Sequence, residues 1–212
     1  MRVCEIFSSI QGESTRAGMP CTFVRMSGCN LRCSYCDTTY SYLEGIELSV
    51  AEIFKRIEEA SLMLVEITGG EPLLQQDEMI RLTRRLLDSG YCVLIETNGT
   101  LPIKVIDRRA VVIMDVKTPA SGMSTMTDFK NLEHLKSTDE VKFVICNRDD
   151  YLWARAVVRE NDLSKRCTVL FSPAFGALEP RCLAEWILAD KLDVRLNLQL
   201  HKYIFGPQER MV

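Results

Sequence analysis

Short β-branched runs alternate with amphipathic segments along the chain, and this alternation restricts the fold more than any other feature of the sequence. Runs at 3–7, 22–26, 62–68, 91–96, 111–116, 140–146, 167–172 and 194–198 read as strands. Between them, 50–60 reads as a helix opened by a capping box from Ser49 to Glu52, and 78–89 as one closed by Gly90. Two more helices are predicted at 150–160 and 180–189, the last with Pro180 in its first turn. Repetition of this kind predicts an α/β fold of parallel βαβ units. Eight complete units ordinarily take about 250 residues, whereas this chain has 212. The expectation is therefore a shortened, partial (β/α) barrel with parallel strands, in one domain spanning 1–212. No internal repeat, low-complexity tract or linker marks a boundary.

In such folds the chemistry sits on loops leaving the C-terminal ends of the strands. Four predicted strands end in polar or Gly-rich exits: Thr68-Gly69-Gly70-Glu71, Glu96-Thr97-Asn98-Gly99, Asp115-Val116-Lys117 and Ser172-Pro173. Four such exits imply one shared mouth. The charge balance narrows what could enter it. Lys and Arg total 26 against 29 Asp and Glu, a formal charge of −3, which argues against affinity drawn from nucleic-acid phosphates. No apolar run approaches a membrane span and no charged-then-apolar leader opens the chain, so no membrane partner is expected and the cytoplasm is the expected compartment.

Nine cysteines in such a setting argue for a reducing compartment and against a disulfide framework. Cys4, Cys21, Cys92, Cys146, Cys167 and Cys182 are scattered, mostly in apolar stretches, and read as small buried hydrophobes. The nine methionines likewise read as core filler. The remaining three cysteines, Cys29, Cys33 and Cys36, stand in a C-x3-C-x2-C spacing within S-G-C-N-L-R-C-S-Y-C-D-T. Three thiolates in one loop can converge on a metal centre and leave it one ligand short. The two histidines, His134 and His201, lie far away in sequence, and a structural zinc site would need a fourth protein ligand. A [4Fe–4S] cluster held by three cysteines would expose one iron to a small molecule. A redox pair of Cys33 and Cys36 is the other reading, and it leaves Cys29 without a role.

This loop resembles that of the radical S-adenosylmethionine (SAM) enzymes, and the resemblance extends to Gly69-Gly70-Glu71-Pro72. Within that superfamily the whole chain resembles the 7-carboxy-7-deazaguanine synthase family. The residues that carry this are E-I-F-S-S-I-Q-G-E-S at 5–14, F-V-R at 23–25, C-D-T at 36–38, T-G-G-E-P, E-T-N-G-T, D-V-K-T-P and L-Q-L-H-K-Y at 198–203. The resemblance implies a cluster on Cys29, Cys33 and Cys36, and SAM contacts from Tyr35, Cys36, Asp37, Gly70, Glu71, Glu96, Thr97, Asn98, Asp115 and Lys117. It implies a pterin substrate held by Ile10, Gln11, Gly12, Glu13, Arg25, Thr68 and His201, and Mg²⁺ at Thr38. A flavodoxin or ferredoxin electron donor and a homodimer are implied as well. The implied reaction is conversion of 6-carboxy-5,6,7,8-tetrahydropterin to 7-carboxy-7-deazaguanine with loss of ammonia, on the way to queuosine and other 7-deazapurines, SAM being used catalytically. A glycyl-radical-activating enzyme shares the cysteine loop but gives no reason for Q-G-E, C-D-T or L-Q-L-H, and a non-catalytic iron–sulfur or zinc module gives none for G-G-E-P.

Three positions depart from the family pattern. Ser14 stands where a glycine often completes Q-G-E-G, Ser34-Tyr35 replaces an aromatic pairing, and the tail Arg210-Met211-Val212 lacks a small residue near its end. His134 reads as a surface helix residue.

Overall fold

A computed structural model describes residues 1–206, 210 and 211; Val212, the last residue of the departing tail, lies outside them. Among the described residues nine strands form one sheet in the order β3-β1-β2-β4-β5-β6-β7-β8-β9. They are β1 (Arg2–Ile10), β2 (Pro20–Met26), β3 (Ile46–Glu47), β4 (Leu64–Gly69), β5 (Cys92–Thr97), β6 (Val111–Asp115), β7 (Glu140–Ile145), β8 (Thr168–Pro173) and β9 (Arg195–Leu196). From β2 through β9 every neighbouring pair is parallel. The first three strands differ from the expected parallel arrangement: β1 runs antiparallel to both β2 and β3. Only nine residues separate β1 from β2, too few for the crossover a parallel pair requires, so the chain folds back as a hairpin. The sheet stays open, an α/β partial barrel.

Helices α1 (Val50–Ala60), α2 (Gln76–Asp88), α3 (Arg148–Glu160) and α4 (Pro180–Asp190) cover one face. Ser49 and Glu52 make the reciprocal capping box that opens α1. Asn147 caps α3 two residues before the predicted start, its side chain accepting from the Asp150 amide at 2.9 Å. Alternate strand residues such as Val65, Ile67, Val93, Ile95, Met114 and Phe143 meet Ile53, Ile57, Leu82, Leu86 and Val158 in the main core. Short α5 (Leu200–Ile204) and β3 are elements the sequence pattern does not announce.

The other face begins as a small apolar floor of Phe7, Cys21, Phe23, Leu64, Leu94, Val111 and Ile113, with Phe7 and Phe23 stacked at 5.1 Å. One pleat further toward the C-terminal strand ends, this face turns polar: Phe23, Leu64, Leu94 and Ile113 give way to Arg25, Glu66, Glu96 and Asp115, joined by Thr68 and Lys142. Of the scattered cysteines, Cys21 and Cys167 are buried, Cys4, Cys146 and Cys182 half-buried, and Cys92, at the first position of β5, is exposed. Met26, Met79 and Met114 are core residues, whereas Met19, Met63 and Met126 face outward, so methionine is core filler only in part. His134 is exposed, on a 3₁₀ turn rather than an α-helix. No helix among the described residues is long and apolar enough to cross a membrane.

Candidate active site

The polar half of the inner face opens into a cavity of about 660 Å³ at the C-terminal ends of the strands. The thiols of Cys29, Cys33 and Cys36, half-buried and free, line it. Their loop is pinned from several sides. Leu31 is a fully buried plug. Asn30 donates to Thr100 Oγ1 at 2.7 Å and accepts from Asn98 Nδ2 at 3.0 Å, tying the loop to the exit of β5. The Arg32 guanidinium donates to the carbonyl of Cys29 at 2.8 Å and lies over the Tyr42 ring, 4.1 Å from its centre. Ser34 donates from its amide to Ser121 O and from its hydroxyl to Ala120 O, fastening the far end of the loop beyond β6.

The glycine pair after β4 explains the start of that loop. A Cβ on Gly70 would fall 1.8 Å from the carbonyl oxygen of Gly28, and Gly69 has φ +129° with Met26 backbone packed against it. The amides of Gly70 and Glu71 donate to Met26 O at 3.0 Å and Gly28 O at 2.8 Å. Only glycine permits this approach. Glu71 does not reach the cavity. Its buried carboxylate accepts from Leu73 N at 2.9 Å, Thr97 Oγ1 at 2.8 Å and Asn98 N at 2.7 Å, so it braces the β4 and β5 exits. Every other residue that the resemblance assigns to the cluster, SAM, the pterin or Mg²⁺ lines the cavity.

Two charged constellations face each other across it. On the β1–β2 side, Arg25 Nε donates to Glu5 Oε1 at 2.7 Å, and the Tyr40 hydroxyl donates to the same oxygen at 2.9 Å. This fixes the guanidinium while its two Nη groups stay available. On the β4–β7 side, Lys142 is buried among carboxylates. Its ammonium pairs with Glu96, with Glu13 at 2.9 Å and with Asp115 at 3.7 Å. Lys117 donates to Asp115 Oδ2 at 2.7 Å. Burial opposes the charge on both lysines, yet Glu13, Glu96 and Asp115 around Lys142, and Asp115 with Tyr35 and Cys33 around Lys117, hold both well above the ordinary lysine range. Burial opposes the Glu96 charge as well; Lys142 and the Thr68 hydroxyl outweigh it and keep that carboxyl below its ordinary range. Glu66, buried and beside the Glu96 charge, is pushed well up.

The hairpin loop 11–19 crosses the open side of the sheet. Glu13 reaches Lys142 and Gln199, Thr15 N donates to Glu140 at 3.0 Å, and Leu200 N donates to Gly12 O at 2.9 Å. His201 packs on Gly12 so closely that a Cβ there would lie 2.1 Å from Nδ1. Burial lowers the affinity of that imidazole for a proton. Thr38 opens a 3₁₀ turn at the rim, its hydroxyl donating to Asp37 at 3.0 Å, and Asp37 is held by Lys202 at 2.7 Å.

Sequence reasoning missed Glu5, Tyr40, Glu66, Lys142 and Lys202. Two of these carried a readable signal: L-V-E-I-T sets Glu66 inside an apolar run, and in E-V-K-F-V-I, after the opening Glu140, Lys142 stands between Val141 and Phe143. A lone charge there must face a partner or a ligand.

A family model described as the radical SAM superfamily matches residues 23–119, the stretch from β2 past the β6 exit. An open, mostly parallel sheet with a three-thiol loop at its mouth is the architecture of a radical SAM enzyme, and the solved structures agree: the crystal structure of QueE from Escherichia coli aligns with a TM-score of 0.79 over 94% of each chain at 23% identity, a likeness of fold. Sequence relatives are more specific. A 7-carboxy-7-deazaguanine synthase from Koribacter versatilis is 46% identical over the whole of both chains, and one from Chlorobaculum tepidum is 44% identical over all of this chain and 97% of its own. The chain belongs to the 7-carboxy-7-deazaguanine synthase family.

Radical SAM enzymes carry a [4Fe–4S] cluster and SAM, and the residues present fit both. Among the described residues no three His, Cys, Asp or Glu side chains are gathered for a single metal ion. A cuboidal cluster holds its thiolates further apart than one ion does, and here all three donors are thiols on one cavity wall. For SAM, Asp115 Oδ1 is buried at the cavity with no hydrogen-bond partner among the described residues, beside the Lys117 ammonium. An amino acid ligand offers the ammonium and carboxylate that such a pair accepts.

Proposed function

We propose that the enzyme converts 6-carboxy-5,6,7,8-tetrahydropterin to 7-carboxy-7-deazaguanine and ammonia, in the biosynthesis of queuosine and related 7-deazapurines. The observation that carries this reading is a single cavity with three thiols on one wall and the braced Arg25 guanidinium on another. The conversion rearranges the ring and expels ammonia with no net oxidation, so a hydrogen atom taken at the start can be returned at the end. SAM then serves as a cofactor and is regenerated. When bound, the cluster on Cys29, Cys33 and Cys36, reduced by a flavodoxin or ferredoxin, supplies with SAM the radical that removes that hydrogen atom.

The chain's own residues bind and orient. Arg25 pairs through its Nη groups with the substrate carboxylate, a fit for a planar fork, and Glu5 with Tyr40 keeps it aimed. Ile10, Gln11, Gly12, Glu13, Thr68 and His201 contact the pterin, while Tyr35, Asp37, Gly70, Glu96, Thr97, Asn98, Asp115 and Lys117 hold SAM. Thr38 contributes a hydroxyl to Mg²⁺, whose other ligands are substrate oxygens and waters, as suits an ion that keeps part of its water shell. Glu71 is assigned to the brace behind the SAM site rather than to SAM itself. The enzyme works as a homodimer of single-domain protomers.

Anaerobic incubation with the pterin, SAM, Mg²⁺ and a reductant is expected to give 7-carboxy-7-deazaguanine in excess over SAM. Cys33→Ala is expected to lose both turnover and the visible absorbance of the reconstituted cluster. Turnover that survives in that variant, or SAM consumed in step with product, refutes the reading.

A further inference from the structure

Glu66 is the buried carboxyl that the preceding account leaves without work. It sits on the inner face of β4, paired in register with Phe23 of β2 and Leu94 of β5, so its stem stands on the apolar floor and its head lines the cavity. Its exposure is 4%. The three lysines of the cavity are committed elsewhere, Lys142 to Glu13 and Glu96, Lys117 to Asp115 and Lys202 to Asp37, and among the described residues no cation lies within ion-pair distance of Glu66. One neighbour does address it. Gln11 donates from Nε2 to Glu66 Oε2, and the Glu13 amide, donating to Gln11 Oε1 at 2.9 Å, fixes which end of the Gln11 amide carries the hydrogens. Glu66 Oε1 accepts nothing from the described residues.

A buried carboxyl with one oxygen free and no cation is an acceptor in want of donors. The inner cluster holds four carboxyls, Glu13, Glu66, Glu96 and Asp115, against two lysines, so the cavity favours a ligand edge rich in N–H. The ring of a pterin has such an edge: its 2-amino group and N3–H point the same way, a planar pair of donors that matches the two oxygens of a carboxylate. Resting on the substrate proposed above, we infer that Glu66, oriented by Gln11, is the residue that reads the 2-amino and N3–H edge of the substrate and so selects a 2-amino-4-oxo heterocycle over its 2-oxo counterpart. Arg25, on the neighbouring strand β2 one pleat beyond the Phe23 that pairs with Glu66 and drawn toward β1 by Glu5, then holds the carboxylate end, and the two residues set the length and direction of the substrate between them.

The test uses the reconstituted enzyme with 6-carboxytetrahydropterin and with the 2-oxo analogue, 6-carboxytetrahydrolumazine. A site that pairs with a substrate N–H leaves a buried group unpaired when that N–H is missing, so the unaltered enzyme is expected to favour the 2-amino compound by at least about 100-fold in kcat/KM. Glu66→Gln replaces one acceptor oxygen by a donor, which fits a 2-oxo and N3–H edge. That variant is expected to raise KM for the pterin by about 30-fold with kcat changed far less, and to shift its preference toward the 2-oxo compound. A role in packing alone would lower both substrates together. Equal kcat/KM for the two compounds in the unaltered enzyme, or an unchanged preference in Glu66→Gln, overturns the inference while leaving the reaction standing. An unaltered enzyme that converts neither compound overturns the proposed function instead. Should Glu66→Gln fail to fold, Glu66→Asp takes its place; it keeps the order of preference and is expected to raise KM for the pterin about tenfold, and an unchanged KM counts against the inference.

Discussion

Single residues in the hairpin loop carry constraints that composition does not display. Gly12 has ordinary backbone geometry, and its need for a missing side chain comes from the His201 ring packed against it. Gly12→Ala must displace that ring. Overpacking of this kind costs about 1–3 kcal/mol, and the variant is expected to lose pterin affinity before it loses its fold, a difference that a thermal melt and a KM measurement together resolve. Two residues on, Ser14 has φ 63°, the left-handed region, and its hydroxyl accepts from the Arg16 amide at 3.0 Å. The departure from Q-G-E-G is therefore a strained turn held by a local hydrogen bond. Ser14→Gly relieves the strain that Ser14→Ala retains, so the glycine variant is expected to be the more stable of the two by about 1 kcal/mol, the reverse of their order in a helix. Equal melting temperatures for the pair would remove strain from the account.

At the scale of elements, strands β4, β5 and β7 each bring one ionisable side chain to the same buried patch, and their charges are linked. Glu96 is held low chiefly because Lys142 outweighs burial, so its contribution to stability is full above its unfolded-state value and fades as the pH falls through the folded one. Lys142→Met removes the cation and leaves Glu13, Glu96 and Asp115 facing one another, an expected loss of about 3–5 kcal/mol at neutral pH, part of which returns as the pH falls and those carboxyls take up protons. Glu66 has the opposite sign. Burial and the Glu96 charge raise it, so stability is spent as the pH rises from its unfolded value toward its folded one. Glu66→Gln removes that cost and is expected to melt no earlier than the parent protein at pH 7; an earlier melt would mean that the carboxyl is a net structural support. The strands themselves were legible because apolar, β-branched runs are long and regular, and the caps of α1 and α4 were legible because Ser49, Glu52 and Pro180 act locally. The antiparallel start was not, since the direction of β1 depends on the length of a turn and not on the pattern of the strand. Lys142 and Glu66 stayed hidden for a related reason: each reads as an interruption of a strand until the sheet places their neighbours around them.

Across the whole molecule, stability and chemistry occupy opposite faces of one sheet. The helix-covered face supplies the core, with Ile53, Leu82, Phe143 and Phe171 fully buried. The cavity face is closed over by the shortest elements: the hairpin loop, the 3₁₀ turn Thr39–Tyr42 after Thr38, and α5. These bury few apolar side chains; Leu43, Tyr203 and Ile204 are 79%, 61% and 56% exposed, so they belong to the least stable part of the structure. What joins α5 to the hairpin loop and to the end of the cysteine loop is polar and faces the site, namely Lys202 to Asp37, Gln199 to Glu13 and the backbone bond from Leu200 to Gly12. Ligands that fill the cavity therefore complete contacts these segments lack, whereas the backbones of β4 to β7 are already paired in the sheet. Hydrogen exchange followed by mass spectrometry is expected to show fast exchange in Thr39–Tyr42 and Leu200–Ile204 for the free protein. With cluster, SAM and pterin present, both segments are expected to slow at least about tenfold, the effect of binding energy spent on ordering. Slowing confined to the cysteine loop would show that α5 takes no part in holding substrate, and with it the assignment of His201 would fall.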